Sequence, residues 1–306
     1  MIATHYTHKH LVRQEMNAHD MKEDGNRNNP QKREAMQNAE ESDMLPSETV
    51  EKSPEPVAPM IIGNWEPYRS KKDLDSFLKK LAQNNYSAAS PVYLALPLTM
   101  IPDHAANLKF QGIVIGSNAM HNAAEGSFTA GVAIDILKKT DAHFVLLRAD
   151  QQQTPYSTIH HNILALLDRD ITPILCIGES VEQYRQDQTM EVLTTTIHEC
   201  LQGISDDRLS RIPLIYASPW LSEQGLSSLR DNLNKSCEVC RQVLKEQFGE
   251  EQRMRVLSII PHFVSDFSTY LKGTECDGFC FFDLATHADH FLKILAAITQ
   301  ERATPP

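Results

Sequence analysis

Residues 143–179 read HFVLLRADQQQTPYSTIHHNILALLDRDITPILCIGE. An apolar run from His143 to Arg148 is followed by Thr158 to Leu167, where apolar residues recur three and four apart, and then by a second apolar run from Thr172 to Ile177. The runs are short and apolar almost throughout, as expected of strands buried on both faces, and the segment between them has the period of a helix. The stretch is therefore a strand–helix–strand unit. The same alternation extends in both directions. Candidate strands lie at Met60 to Asn64, Val92 to Leu96, Ile113 to Asn118, His143 to Arg148, Thr172 to Ile177, Leu214 to Ala217, Val256 to Ile260 and Gly278 to Phe282. Helical patterns cover Lys71 to Leu81, Thr158 to Leu167, Glu182 to Leu201, Leu226 to Phe248 and His290 to Ile298. Eight such units after Pro59 match the arithmetic of a (β/α)₈ barrel. An open doubly wound sheet would show fewer strands and a glycine fingerprint after the first, which this chain lacks. The reading is an α/β chain with one barrel over residues 59–306.

Residues 1–58 differ in kind. They contain only seven residues from the set Phe, Ile, Leu, Val, Trp and Tyr, too few to offset the entropy of ordering the chain. This segment is expected to be a disordered tail, ending in a Pro-rich linker at Pro54, Pro56 and Pro59. His5, His8, His10 and His19 lie in it without fixed partner ligands, so no metal site is assigned. The formal charge of −11 argues against nucleic acid or an anionic membrane as a partner. No apolar run is long enough to cross a bilayer, and the first residues lack the core of a signal peptide, so a cytoplasmic protein is expected. Six scattered cysteines do not have the spacing of a disulfide framework, and reduced thiols are expected. Cys237 and Cys240 share one face of a helical pattern, where a structural role is expected. His287 and His290 flank Asp289 in what reads as a solvated first turn.

Five strand ends carry motifs. They are Gly63-Asn64-Trp65-Glu66, Asn118 with Gly126-Ser127-Phe128-Thr129, Cys176-Ile177-Gly178-Glu179, Tyr216 with Trp220, and Asp277-Gly278-Phe279. In order and spacing they resemble the G-N-W-K, Q-N with G-A-F-T-G-E, C-I-G-E, Y-E-P-V-W and D-G-F motifs of the triosephosphate isomerase family. The resemblance spans residues 59 to 300 and implies a TIM barrel.

It also implies where the chemistry would sit, and there the chain departs. Isomerising a triose phosphate needs a carboxylate base, an electrophile at the carbonyl, a cation for the developing enediolate, and backbone amides for the phosphate. Ala217 aligns with the base, Ala149 with the electrophilic histidine and Glu66 with the lysine, so Asn64 alone remains of the polar set. The phosphate cradle aligns with His262, Phe263 and Val264 after strand seven and with Phe282 and Asp283 after strand eight, side chains in place of glycines. The lid after strand six, Trp220 to Gly225, lacks the family's first glycine and its lysine. Losing a base costs about 10²- to 10⁴-fold and an electrostatic stabiliser about 10²- to 10³-fold. The expectation is a pseudoenzyme that binds an unidentified protein or small molecule, with no cofactor and no metal. Two alternatives stand beside it. One is an enzyme of altered substrate, using a cluster of Asn64, Glu66, Arg148, Asp150, His262 and Asp283 at the barrel mouth. The other is a divergent isomerase of glycolysis. The resemblance further implies a homodimer through the third loop around Phe128 and Thr129. Gly131 and Gln152 replace the family's cross-subunit glutamate and arginine, so that dimer is expected to be weak.

Overall fold

The computed structural model describes residues 59–83, 92–110, 112–120, 134–151, 153–217, 229–250, 252–260, 274–282 and 288–303. The expected disordered tail, and the loops carrying Phe128, Trp220, His262 and Asp283, lie outside these residues. Eight strands run in chain order: β1 Met60–Asn64, β2 Val92–Leu96, β3 Ile113–Ser117, β4 Phe144–Arg148, β5 Thr172–Ile177, β6 Leu214–Tyr216, β7 Val256–Ile259 and β8 Gly278–Phe281. Each pairs in parallel with the next, and β1 pairs with β8, which closes the barrel. Around it lie α1 Lys71–Gln83, α2 Ile101–Phe110, α3 Tyr156–Leu167, α4 Val181–Arg185, α5 Thr189–Leu201, α6 Asp206–Leu209, α7 Leu229–Phe248 and α8 Ala288–Ala303, and residues 134–139 are also helical. None of the described helices is long and apolar enough to cross a membrane.

Alternation along each strand divides the core into two layers. Met60, Ile62, Phe144, Leu146, Ile174, Cys176, Ile215, Leu257 and Cys280 fill the barrel interior. Ile61, Leu94, Val145, Leu147, Leu175 and Leu214 face outward and pack beneath the helices. Both faces are buried, which is why the strands read as continuous apolar runs. Two glycines make room at close approaches. A Cβ at Gly116 would meet the Phe144 ring at 2.5 Å, and one at Gly278 would overlap the Met60 backbone.

The structure corrects two expectations. The pattern read as one helix from Glu182 to Leu201 is two, α4 and α5, because helical geometry breaks at Asp187, whose φ of 57° is left-handed. Asp tolerates that conformation better than most residues, and Ser180 with Gln183 forms a capping box that starts α4 independently. The expectation of six reduced thiols also fails, because Cys237 is joined to Cys276 with their Cα atoms 5.8 Å apart. Cys240, the neighbour expected to share its role, is a free buried thiol. The pairing brings together residues 39 positions apart, and only the packing of α7 against the entry to β8 makes them neighbours.

Candidate functional site at the barrel mouth

Parallel closure brings every strand's C-terminal end to one face. There β1 delivers Asn64, β4 delivers Arg148, and β8 leads into Phe282. Arg148 donates from Nε to Asp150 Oδ1 at 2.7 Å and from Nη2 to Oδ2 at 2.5 Å, a bidentate pair. The guanidinium also lies over the Phe282 ring, 4.2 Å from its centroid. Asn64 Nδ2 donates to the Phe282 backbone oxygen at 3.2 Å. The end of β4 is thereby tied across the mouth to the adjacent ends of β8 and β1.

Burial is the largest influence on Arg148 and works against its charge, but the hydrogen bonds to Asp150 and the coulombic contributions of Cys176, Asp150 and Cys280 together outweigh it and hold the guanidinium protonated above its ordinary range. Below it sit two thiols in the barrel interior. Burial pushes Cys176 well above the usual thiol range and Cys280 up to about 12, with Arg148 opposing the shift in both. They are neutral at physiological pH and therefore poor nucleophiles.

Of the six residues expected to cluster, Asn64, Arg148 and Asp150 meet here, and His262 and Asp283 lie outside the described residues. Glu66, just after β1, is 4% exposed. Ala149, at 1% exposure, belongs to the outer apolar layer and donates its N–H to Cys176 O at 2.9 Å. Ala217 donates its N–H to Ile177 O at 2.8 Å. Of the phosphate-cradle positions, Phe282 is described and stacks under Arg148, whereas Phe263 and Val264 are not described.

One arrangement was not read from the sequence. Glu179, 4% exposed, accepts from Tyr216 Oη at 2.8 and 2.9 Å and from Thr189 Oγ1 at 3.1 Å. The motifs containing Glu179 and Tyr216 are both legible, but their pairing across 37 residues is not. Gly178, just before Glu179, is required by close packing, since a Cβ there would lie 2.7 Å from Ala217 O and 3.5 Å from Asp150 Cβ.

Beside Arg148 a cavity of about 530 Å³ opens between the ends of β1 to β4, lined in part by Asn64, Leu98, Asn118, Met120 and Gln153. Asn118 Nδ2 donates to Trp65 O at 2.8 Å and fixes one wall. A second cavity of about 500 Å³, lined by Tyr156, Gln183 and Glu191, lies at the starts of α3, α4 and α5 and away from the barrel axis. Among the described residues, no group of three or more His, Cys, Asp or Glu is placed to hold a metal ion.

Comparison with known families decides the lineage of this mouth, since a family model described as triosephosphate isomerase matches residues 59–298. The chain belongs to the triosephosphate isomerase family. The triosephosphate isomerase of Protochlamydia amoebophila is 27% identical over 245 residues, covering 77% of this chain and 92% of that protein. That of Streptococcus pyogenes serotype M2 is 25% identical over 247 residues, covering 78% and 97%. The crystal structure of triosephosphate isomerase from Bartonella henselae superimposes with a TM-score of 0.63 at 18% identity, covering 80% of this chain and all of that one. At that identity the superposition speaks for the barrel alone. The low identities agree with a divergent member of that family.

Proposed function

We propose that this chain is a non-catalytic member of the triosephosphate isomerase family that binds a protein or small molecule in the cytoplasm. The observation that carries the reading is the Arg148–Asp150 pair stacked on Phe282. Where the isomerase chemistry needs a base and an electrophile facing an open site, Ala217 and Ala149 offer neither. The mouth instead holds a compensated ion pair on an aromatic ring. Both carboxylate oxygens of Asp150 are engaged by the Arg148 guanidinium, and a ligand that used them would first have to break the pair. The same commitment weighs against a new active site built on Asp150. The test is a coupled assay of triose phosphate interconversion with protein purified from a host lacking its own isomerase. Turnover at the uncatalysed rate is expected; enzymatic turnover that survives repurification overturns the reading.

The same proposal extends to assembly. A weak homodimer would form through the third loop around Phe128 and Thr129, without the charged cross-subunit pair, since Gly131 and Gln152 replace both partners together and leave no orphan charge. Sedimentation over a dilution series tests it. A species still dimeric at nanomolar concentration, or monomeric at tens of micromolar, contradicts this assembly.

A further inference from the structure

Helix α7 carries Asn234, Cys237 and Arg241 at spacings of three and four, one stripe on one face. All three engage the segment that leads into β8. Glu275 N donates to Asn234 Oδ1 at 2.9 Å, and Arg241 Nη2 donates to Glu275 O at 2.6 Å and to Asp277 Oδ2 at 3.0 Å. Val256 N, at the start of β7, donates to the same carboxylate oxygen at 2.8 Å. Cys276 thus lies between two anchored residues, and its Cα is 5.8 Å from that of Cys237, within the range a disulfide spans without backbone movement. The same positions also suit the two thiols. Leu233 O lies 3.4 Å from Cys276 Sγ and Val256 O lies 3.9 Å from Cys237 Sγ, each within reach of an S–H donor were the bond opened. None of the clamp's hydrogen bonds uses either sulfur.

We propose that Cys237 and Cys276 form a reversible thiol–disulfide couple that exchanges with low-molecular-weight thiols at Cys276. Access sets the direction, since Cys237 is 0% exposed and Cys276 is only half-buried. The external thiolate attacks Cys276 Sγ, the Cys276–Cys237 bond breaks, and its electron pair goes to Cys237 Sγ, which takes up a proton. A second thiolate attacks the external sulfur of the mixed disulfide and releases Cys276. The net reaction converts two small thiols into one small disulfide as the protein disulfide becomes two thiols. Cys240 stands aside, since it is 0% exposed and burial raises its pKa far above the solution range.

The test equilibrates the full-length chain with graded ratios of reduced and oxidised glutathione, quenches with acid, and counts thiols by alkylation and intact mass. Four alkylated cysteines are expected in oxidising buffer and six after dithiothreitol acts on the folded protein, with return to four on reoxidation. Cys276→Ser is expected to give five in both buffers. Arg241→Ala and Asn234→Ala, which loosen the clamp, are expected to shift the equilibrium about tenfold toward the dithiol at a fixed glutathione ratio. Six thiols at every ratio, a bond that opens only when the protein is unfolded, or a midpoint unmoved in both clamp variants would each overturn the proposal.

Discussion

Arg148 and Asp150 depend on each other for burial. Asp150→Asn removes the counter-charge but leaves the guanidinium, whose side chain is 28% exposed. Removing one partner of a fully buried pair costs roughly 3–5 kcal/mol, and the residual exposure of Arg148 brings the expected loss to about 2–3 kcal/mol. Replacing both, as Arg148→Met with Asp150→Leu, is expected to be close to neutral, because no charge is orphaned. Denaturant titration of the two variants checks the ordering. A single variant that loses no more than the double would show that the pair is not coupled as described. The sequence displays both residues as candidate mouth groups, but it does not reveal that they neutralise each other or that Phe282 supports them. That contact joins β4 to the end of β8, and it arises only when the barrel closes. Glu66, read from the sequence among the mouth residues, is 4% exposed, and that burial arises from tertiary packing that the linear pattern does not show.

The strands were legible almost to the residue because both of their faces are buried and their apolar runs stop where the chain reaches the barrel rim. Helix boundaries carried less information. Arg185 to Thr189 are all polar, a gap that the pattern of one long helix passes over, and the left-handed Asp187 that separates α4 from α5 is set by backbone conformation rather than by hydrophobicity. At the end of β5, one position bears much of the packing between strands. Gly178→Ala forces the β5 and β6 ends apart at Ala217 O, and a loss of about 1–3 kcal/mol is expected, read as a lower denaturation midpoint at unchanged slope. An unaltered midpoint would mean that the rim yields freely there.

For the molecule as a whole, the four free cysteines tie stability to alkaline pH. Burial raises Cys200 and Cys280 up to about 12, and Cys176 and Cys240 further. Below about pH 9 both folded and unfolded states hold these protons and pH has no effect through them. Above it, the unfolded thiols ionise first and the unfolded state binds fewer protons, so stability falls as pH rises. Each thiol contributes about 1.4 kcal/mol per pH unit in that window. Cys280→Ala is expected to reduce the slope of unfolding free energy between pH 9 and 12 by about one proton, and an unchanged slope would refute the assignment. At the same scale, residues 59–306 are expected to fold without residues 1–58, which offer the core almost no apolar surface. A truncated chain that melts many degrees lower would contradict this. The bond between Cys237 and Cys276 also changes the topology of the chain, making it a covalent loop with two tails. A protease that cuts once between these residues leaves a single molecule of unchanged apparent mass on a denaturing gel without reductant, and two fragments once the sulfurs are parted. A cut anywhere else yields two pieces in either case, so paired lanes map each nick to the inside or outside of that loop.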